Sequence, residues 1–425
     1  MTGLAMLGLL AAVQPHFCVK VVDAETGRGV PMVELRTLNE VLYVTDSAGV
    51  AAIHEPAWDD REVAFKIRAH GYEYPARLFI PDEPGAVLRV RHGGVVTLKI
   101  RRTNIAERLY RVTGEGIYRD SRLTGLPVPL STPDPNGMVT GQDSVATAVY
   151  KGRIFWIWGD TTGLKDFNFA VAAATSKLPG QGGLDPAVGV ELNYFLDSRG
   201  FARRMLDLGR PGLVWIEGLF TATDPRGHER LLATYTRQQG LKPPDERGLA
   251  VFNDGKGVFE SLAGFPWPEG HESSHPIRHG GHIYLYPWLR VPDRWEAIID
   301  PSKYERRPVQ LPEGLHHGSV QWNGYRQRFI LLAQRKPGEV FYAEARQPEG
   351  PYGKPVLIVS HNNYNFYNVA HHPFFDQEGG RVIYFEGTYT AAFSEAKEKT
   401  PRYDYNQIMY RLRLDDERLR EARSQ

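Results

Sequence analysis

The run GQDSVATAVYKGRIFWIWGDTTG, residues 141–163, is built for burial yet carries an aspartate near each end. Its middle, 144–159, is rich in Val, Ile, Phe and Trp and is broken only at Lys151-Gly152, which predicts two strands joined by a two-residue turn. If Tyr150 faces Arg153, the same register sets Asp143 opposite Asp160 at the open end of the hairpin, with Cβ atoms about 5 Å apart. Like charges so placed repel. They are tolerated where they meet solvent, a cation or a substrate, or where one carboxyl keeps its proton because the other is ionised. Carboxyl pairs of this kind perform the acid, base or nucleophile work of glycoside hydrolysis. The plainer alternative is that each aspartate caps a turn by accepting from backbone N–H groups.

The chain around this hairpin has 425 residues, enough for two or three domains and a sizeable core. Its formal net charge of +1 gives no electrostatic reason to expect nucleic acid as a partner. Forty-three Gly and 30 Pro, set among 21 Tyr, 19 Phe and 8 Trp, point to many short strands and turns with aromatic-lined surfaces. An all-β fold is expected. The single cysteine, Cys18, excludes an intrachain disulfide framework and a cysteine-cluster zinc site. The apolar stretch Leu4 to Val13 has the length of a signal-peptide core, although no Lys or Arg precedes it, and it is too short to span a bilayer. Residues 1–16 are therefore read as an export signal, with a buried first strand as the alternative, and the protein is expected to be secreted or periplasmic.

Working outward, residues 17–102 alternate strands of five to eight residues with Glu-Thr-Gly, Asp-Ser-Ala-Gly and His-Gly turns, the pattern of a small antiparallel β-sandwich. Residues 103–135 are punctuated by Pro and Gly, show little periodicity and read as a connector. From 136 to 415 one unit returns with variations. A strand starts after a polar or ionisable residue, turns at Gly, runs back through aromatics and is followed by a third strand and a loop. The starts are at Asp143, Glu217, His275, His317 and His371. Irregular repeats of roughly 50 residues, each of three to four strands, are the signature of a propeller, here five-bladed. Innermost strands line a propeller's axis, so Asp143, Asp160, Glu217, His275, His316, His317, His371, His372 and Glu386 are expected to converge at one funnel mouth. Clustered titratable groups in a cleft point to function. The charged segment 416–425 reads as a solvated helix or a disordered tail.

Two resemblances attach to these residues. The string VVDAETGRGVPMVELRT, with YVTDSAGVAAI and AHGY after it, resembles the transthyretin-like or carboxypeptidase-regulatory-like domain and implies an accessory module. GQDSVATAVYKGRIFWIWGDT, with YNFYNVAHHPFFDQEGGRVIYFEGTYTAAFS and PRYDYNQIMYRLRL, resembles a family of five-bladed propellers whose members include endo-D-arabinanases, and more distantly the arabinanase, xylosidase and fructosidase clans. That resemblance implies catalytic carboxylates at Asp143 and Asp160. It also implies a glutamate acid on a later blade, a part that either Glu217 or Glu386 could take. Clan relatives hold calcium or another cation near an axial histidine, which makes His317 a candidate ligand, and no other cofactor is implied.

The segment SHNNYNFYN, 360–368, is the candidate sugar-contact loop, because Tyr faces stack on sugar C–H surfaces and Asn amides reach hydroxyls. Tyr364, Asn365, Tyr367 and Asn368, with His317 and His372, form the expected substrate-binding set. Trp156 and Trp158 alternate with Phe155 and Ile157 and read as core between blades. The carboxylate pair predicts a glycoside hydrolase acting on a polysaccharide, and the resemblance implies a furanosidic or related one. The competing readings are a carbohydrate-binding or cell-surface propeller without catalysis, and a polysaccharide lyase with His372 or a tyrosine as base.

Overall fold

The computed structural model describes residues 15–79, 82–168, 171–262, 275–285, 289–362 and 364–423, without the side chains of Asn168 and His317. The export-signal reading falls almost wholly outside these residues. The chain divides into two compact units, one comprising residues up to 101 with 118–128, the other 102–117 with 129 onward. The described residues are nearly all β, and their two α-helices, Arg119–Leu123 and Trp295–Ile298, are short.

The first unit contains two four-stranded sheets. One runs Val50–Ile53, Phe17–Asp23, Val95–Arg102, Tyr72–Glu73, and the other Leu42–Val44, Glu34–Thr37, Arg61–Arg68, Gly85–Val90. Alternate residues of the strands, among them Val19, Val21, Leu35, Phe65, Ile67, Val90 and Ile100, share one buried cluster, as two facing sheets require. The expectation of a purely antiparallel arrangement is corrected in one place, since Phe17–Asp23 pairs in parallel with Val95–Arg102. Two turn aspartates fix the loops. Asp23 accepts from the N–H groups of Glu25 and Thr26, and Asp46 accepts from those of Ala48, Val50 and Ser121.

The second unit contains five four-stranded antiparallel sheets in chain order. The first is Ala146–Tyr150, Arg153–Trp158, Ala172–Lys177 and Asn193–Tyr194, and the second Leu213–Thr223, Glu229–Gln238, Glu246–Asn253 and Val258–Ser261. The third is Ile277–His279, His282–Leu285, Leu289–Pro292 and Glu305–Arg306, and the fourth His316–Asn323, Arg328–Gln334, Glu339–Ala345 and Val356–Ser360. The fifth is Asn365–His371, Val382–Thr390 and Asn406–Arg413, and its outer strand, Glu107–Arg111, comes from the chain ahead of the first sheet. Apolar clusters join consecutive sheets. Phe155 and Leu219 bridge the first and second, Leu232 and Ile283 the second and third, Ile277 and Leu331 the third and fourth, and Met409 and Trp156 the fifth and first. Trp156 and Trp158 are buried and stacked, centroids 6.1 Å apart, as their apolar neighbours imply.

Two stretches differ from their sequence reading. The connector 103–135 is divided, with Glu107–Arg111 lying in the fifth sheet and 118–128 belonging to the first unit. Its strand was hidden because ERLYR is buried along its whole length and shows no alternation. The charged tail, read as a solvated helix or as disorder, is a 3₁₀ helix, Glu417–Ala422, but it is not wholly solvated, since Leu419 and Ala422 are buried. Residues three apart eclipse on a 3₁₀ helix, so these two apolar side chains share one side despite the charges around them.

Candidate functional site

The hairpin pairs Ala146 with Ile157 through to Tyr150 with Arg153, the register that its turn predicts. Beyond the strands the Asp143 N–H donates to the Asp160 carbonyl at 3.3 Å, and the Gly159 N–H donates to the Asp143 carbonyl at 2.8 Å. The two aspartates are therefore backbone neighbours across the open end. A methyl group at position 159 would run into Asp143 Oδ1, so glycine there leaves the carboxylate its place.

Three neutral donors hold the two carboxylates, both of which are partly exposed. The Tyr367 hydroxyl, from the first strand of the fifth sheet, donates to Asp143 Oδ2 at 2.8 Å, and the Tyr405 hydroxyl bonds the same carboxylate. Trp215, from the first strand of the second sheet, donates its Nε1–H to Asp160 Oδ1 at 2.8 Å. Burial, reinforced by the facing Asp160 charge, pushes Asp143 up to about 6 against the opposing pull of the two phenols. Asp160 is also raised by burial, with the Trp215 bond opposing. Both carboxyls are therefore raised by burial, and the facing charge adds to the rise of Asp143.

The surrounding backbone is bent to aim these groups. Ser144 and Asn368, next to Asp143 and Tyr367, both adopt left-handed conformations, φ 54° and 50°, and the Asn368 amide donates to Ser144 Oγ at 2.6 Å. Strained backbone of this kind persists where the surroundings over-determine it, which is common at functional sites. Register shifts also interrupt the first strands of the second, fourth and fifth sheets, between Ile216 and Gly218, His316 and Gly318, and Tyr367 and Ala370. Two of these bulges carry Glu217 and Asn368, and a bulge re-aims the side chain it carries. Glu217, two residues along from Trp215, is partly exposed and its Oε1 accepts from Thr236 Oγ1 at 2.9 Å. The His317 side chain lies outside the described residues.

Other expected site residues lie elsewhere. Glu386 is fully buried on the second strand of the fifth sheet, opposite Ala370 and Met409 in the layer that packs against Trp156. Its Oε1 lies 3.0 Å from Nε2 of the equally buried His372, whose Nδ1 is 3.3 Å from Thr147 Oγ1. Burial pushes Glu386 up to about 8 and His372 down to about 3, which makes a neutral hydrogen-bonded pair in a core. Glu386 as an axial acid and His372 as a substrate contact or lyase base are thereby corrected. Alternation sent Ala370, Glu386 and Met409 into the layer between sheets. Tyr364 offers no stacking face, because it is stacked at 4.4 Å on Tyr389 and donates to the Glu398 carbonyl. Asn365 is buried with its amide 3.5 Å from the Ala392 carbonyl. Of the proposed contact loop, Tyr367 and Asn368 remain beside the carboxylates.

His275 is buried with φ 55°, and burial with His372 and His371 nearby pushes it down to about 3. His371 Nε2 meets Asp376 Oδ1 at 2.8 Å, and His316 is exposed. Among the described residues no three His, Cys, Asp or Glu side chains are gathered about one point that a metal would occupy. Trp215 and Tyr405 were missed by sequence reasoning. The only signal for Trp215 was its place two residues before Glu217 in VWIEG, and Tyr405 lies in a loop without periodicity.

No family model and no curated protein matches the chain. Among solved structures it is similar to an exo-β-1,3-galactanase from Phanerochaete chrysosporium, 12% identical, over 72% of this chain and 64% of that one, with a TM-score of 0.42. It is also similar to a family 117 glycoside hydrolase of the marine bacterium Zobellia galactanivorans, 14% identical, over 73% and 92%, TM-score 0.42. A third is an exo-1,5-α-L-arabinanase from a bovine ruminal metagenomic library, 13% identical, over 64% and 93%, TM-score 0.38. Likenesses at this level bear on neither substrate nor mechanism.

Proposed function

We propose that the second unit is a five-bladed β-propeller that hydrolyses glycosidic bonds of a polysaccharide of the furanosidic, arabinan-like class, and that the first is a transthyretin-like accessory sandwich of a secreted or periplasmic protein. The five consecutive four-stranded sheets support the propeller, as does the outer strand Glu107–Arg111, which ties the last sheet to the chain ahead of the first.

The observation that carries the chemistry is the facing pair Asp143 and Asp160, with Asp143 pushed up to about 6 by burial and the Asp160 charge. Cβ atoms directly opposite on an antiparallel pair are about 5 Å apart, which lets the two carboxyls reach the spacing of a retaining glycosidase, about 5–5.5 Å. Asp160, ionised, attacks the anomeric carbon while the Asp143 proton passes to the leaving oxygen. Water then gives its proton back to Asp143, displaces Asp160 and leaves the anomeric configuration as it began. Tyr367, Tyr405 and Trp215 orient the carboxylates, while Glu217 and Asn368 bind substrate hydroxyls.

The test is a product assay against arabinan, arabinogalactan and other plant, algal and bacterial polysaccharides. The expected result is new reducing ends, no ultraviolet-absorbing unsaturated product, and a first-formed sugar of retained anomeric configuration. An unsaturated product would mean a lyase, and binding without turnover would mean a carbohydrate-binding propeller. An inverted product would move the acid role to Glu217.

A further inference from the structure

A cavity of about 530 Å³ lies in the second unit, away from the carboxylate pair, where the second and third sheets meet. Its wall on the second sheet is the end of Leu213–Thr223 and the turn that follows, and its wall on the third is the segment 293–296 with Arg278. Trp215 bonds Asp160 from near the start of Leu213–Thr223, and Thr223 ends it. At about 3.3 Å per residue, this sets the cavity about 25 Å along the strand from the carboxylates. Arg278 braces the two walls, since its Nε donates to Asp293 Oδ2 at 2.8 Å and its Nη2 to the Thr221 carbonyl. Trp295 is partly buried against the apolar cluster that joins the two sheets, and it also lines the cavity.

We propose that this cavity binds a short stretch of a neutral polysaccharide and serves as a holding site, an assignment that rests on the polysaccharide reading of the second unit. So far from the carboxylates it takes no part in bond cleavage and instead keeps a long chain on the protein between cleavages. Its volume falls within the range of about 300–1,000 Å³ that takes small ligands. Such pockets are mostly apolar, whereas here one indole stands among carboxylates, guanidiniums and threonines. An apolar ligand would leave those groups unpaired, while a sugar offers C–H faces to the indole and hydroxyls to the rest. Several of the groups are open to a ligand. Arg294 and Glu296 are exposed, and among the described residues neither side chain is taken up by a hydrogen bond or an ion pair. Glu229 Oε2 accepts from the Lys151 N–H at 2.9 Å, which leaves Oε1. The charges select for neutrality. The carboxylates of Asp224, Glu229, Asp293 and Glu296 outnumber the guanidiniums of Arg278 and Arg294, even with Arg230 3.5 Å from Asp224 Oδ2, and so disfavour a phosphate or a uronate. Arg294 in turn disfavours a cation. Sugar hydroxyls suit both, donating to carboxylates and accepting from a guanidinium.

Affinity electrophoresis of the full chain through gels containing arabinan or arabinogalactan tests the proposal, with Asp143→Asn as the parent so that the polysaccharide stays intact. Adding Arg294→Ala should weaken the retardation about tenfold, the loss of one hydrogen bond from a charged group. Trp295→Ala should weaken it too. Arg294 is exposed, so its variant should keep the parent's melting temperature and report on the site and not on folding. With Asp143 restored, Arg294→Ala should raise KM on the polysaccharide, leave kcat unchanged and cleave short oligosaccharides as wild type does. Equal retardation of Arg294→Ala and its parent would overturn the proposal, as would retardation by neither polysaccharide or stronger retardation by polygalacturonate. Retardation that depends on Arg294 in a chain that cleaves nothing would sustain this site and refute the hydrolase. Cleavage with retardation indifferent to Arg294 would do the reverse.

Discussion

Changing Tyr367 to Phe removes one hydroxyl and nothing else from the carboxylate pair. The lost bond is the 2.8 Å contact to Asp143 Oδ2, which stabilises the ionised form. Hydrogen bonds to charged groups contribute about 1.5–3 kcal/mol, and one pKa unit corresponds to about 1.4 kcal/mol. Because the site is partly exposed the lower end applies, and Asp143 should rise from about 6 to about 7. Tyr405 stays in place as the second donor. If Asp143 is the acid, its protonated form is the active one, and the alkaline limb of kcat/KM should move up by about one unit. The assay is kcat/KM against pH for both proteins on whichever polysaccharide the wild type cleaves. An alkaline limb that stays in place would refute the hydrogen-bond argument. An acid limb that moves up instead would show that Asp143 works as a base.

Trp215→Phe should raise the pKa of Asp160, which must be ionised to attack, and so shift the acid limb of the same profile upward. Gly159→Ala places a methyl group against Asp143 Oδ1 and should cut turnover at least about tenfold by displacing the carboxylate, with little change in melting temperature. Glu386→Gln should change how stability depends on pH. Glu386 has a folded pKa of about 8 against an ordinary 4.5, so the folded chain binds the extra proton and this contribution is lost as pH rises to 8. His372, depressed to about 3 from 6.5, acts in the opposite sense below pH 6.5. From pH 6.5 to 8 Glu386 acts alone, and wild type should lose about 2 kcal/mol in denaturant titrations that the glutamine variant keeps. An equal loss in both proteins would mean that the pair is ionised in the core.

The hairpin was legible because a two-residue turn at Lys151-Gly152 fixes register, and register alone determines that Asp143 meets Asp160. The number of returning units was legible for a similar reason, since each strand pair carries its own turn, but their starts were not all placed, because Glu217 lies inside Leu213–Thr223 and His371 ends Asn365–His371. The destination of Glu386 was not legible. It occupies an ionisable position in a strand as apolar as YFEGTY, and whether such a residue faces an axis or the layer between sheets depends on neighbours distant in sequence. Glu107–Arg111 was missed because its partner, Asn406–Arg413, lies some three hundred residues later. Tyr364 looked like a sugar platform for its type, and only the packing of Tyr389 against it reveals a core residue. The bulges at Glu217 and His317 left a trace in the glycine that follows each, which is the kind of signal that a pattern of alternation overlooks.

The most direct test of the carboxylate pair is turnover and substrate binding measured side by side in Asp143→Asn and Asp160→Asn. Each variant should lose at least about 100-fold in kcat, the lower end of what a positioned acid or base contributes, while binding the polysaccharide about as tightly as wild type. Full turnover in either variant would contradict the assignment and return that aspartate to the capping of its turn.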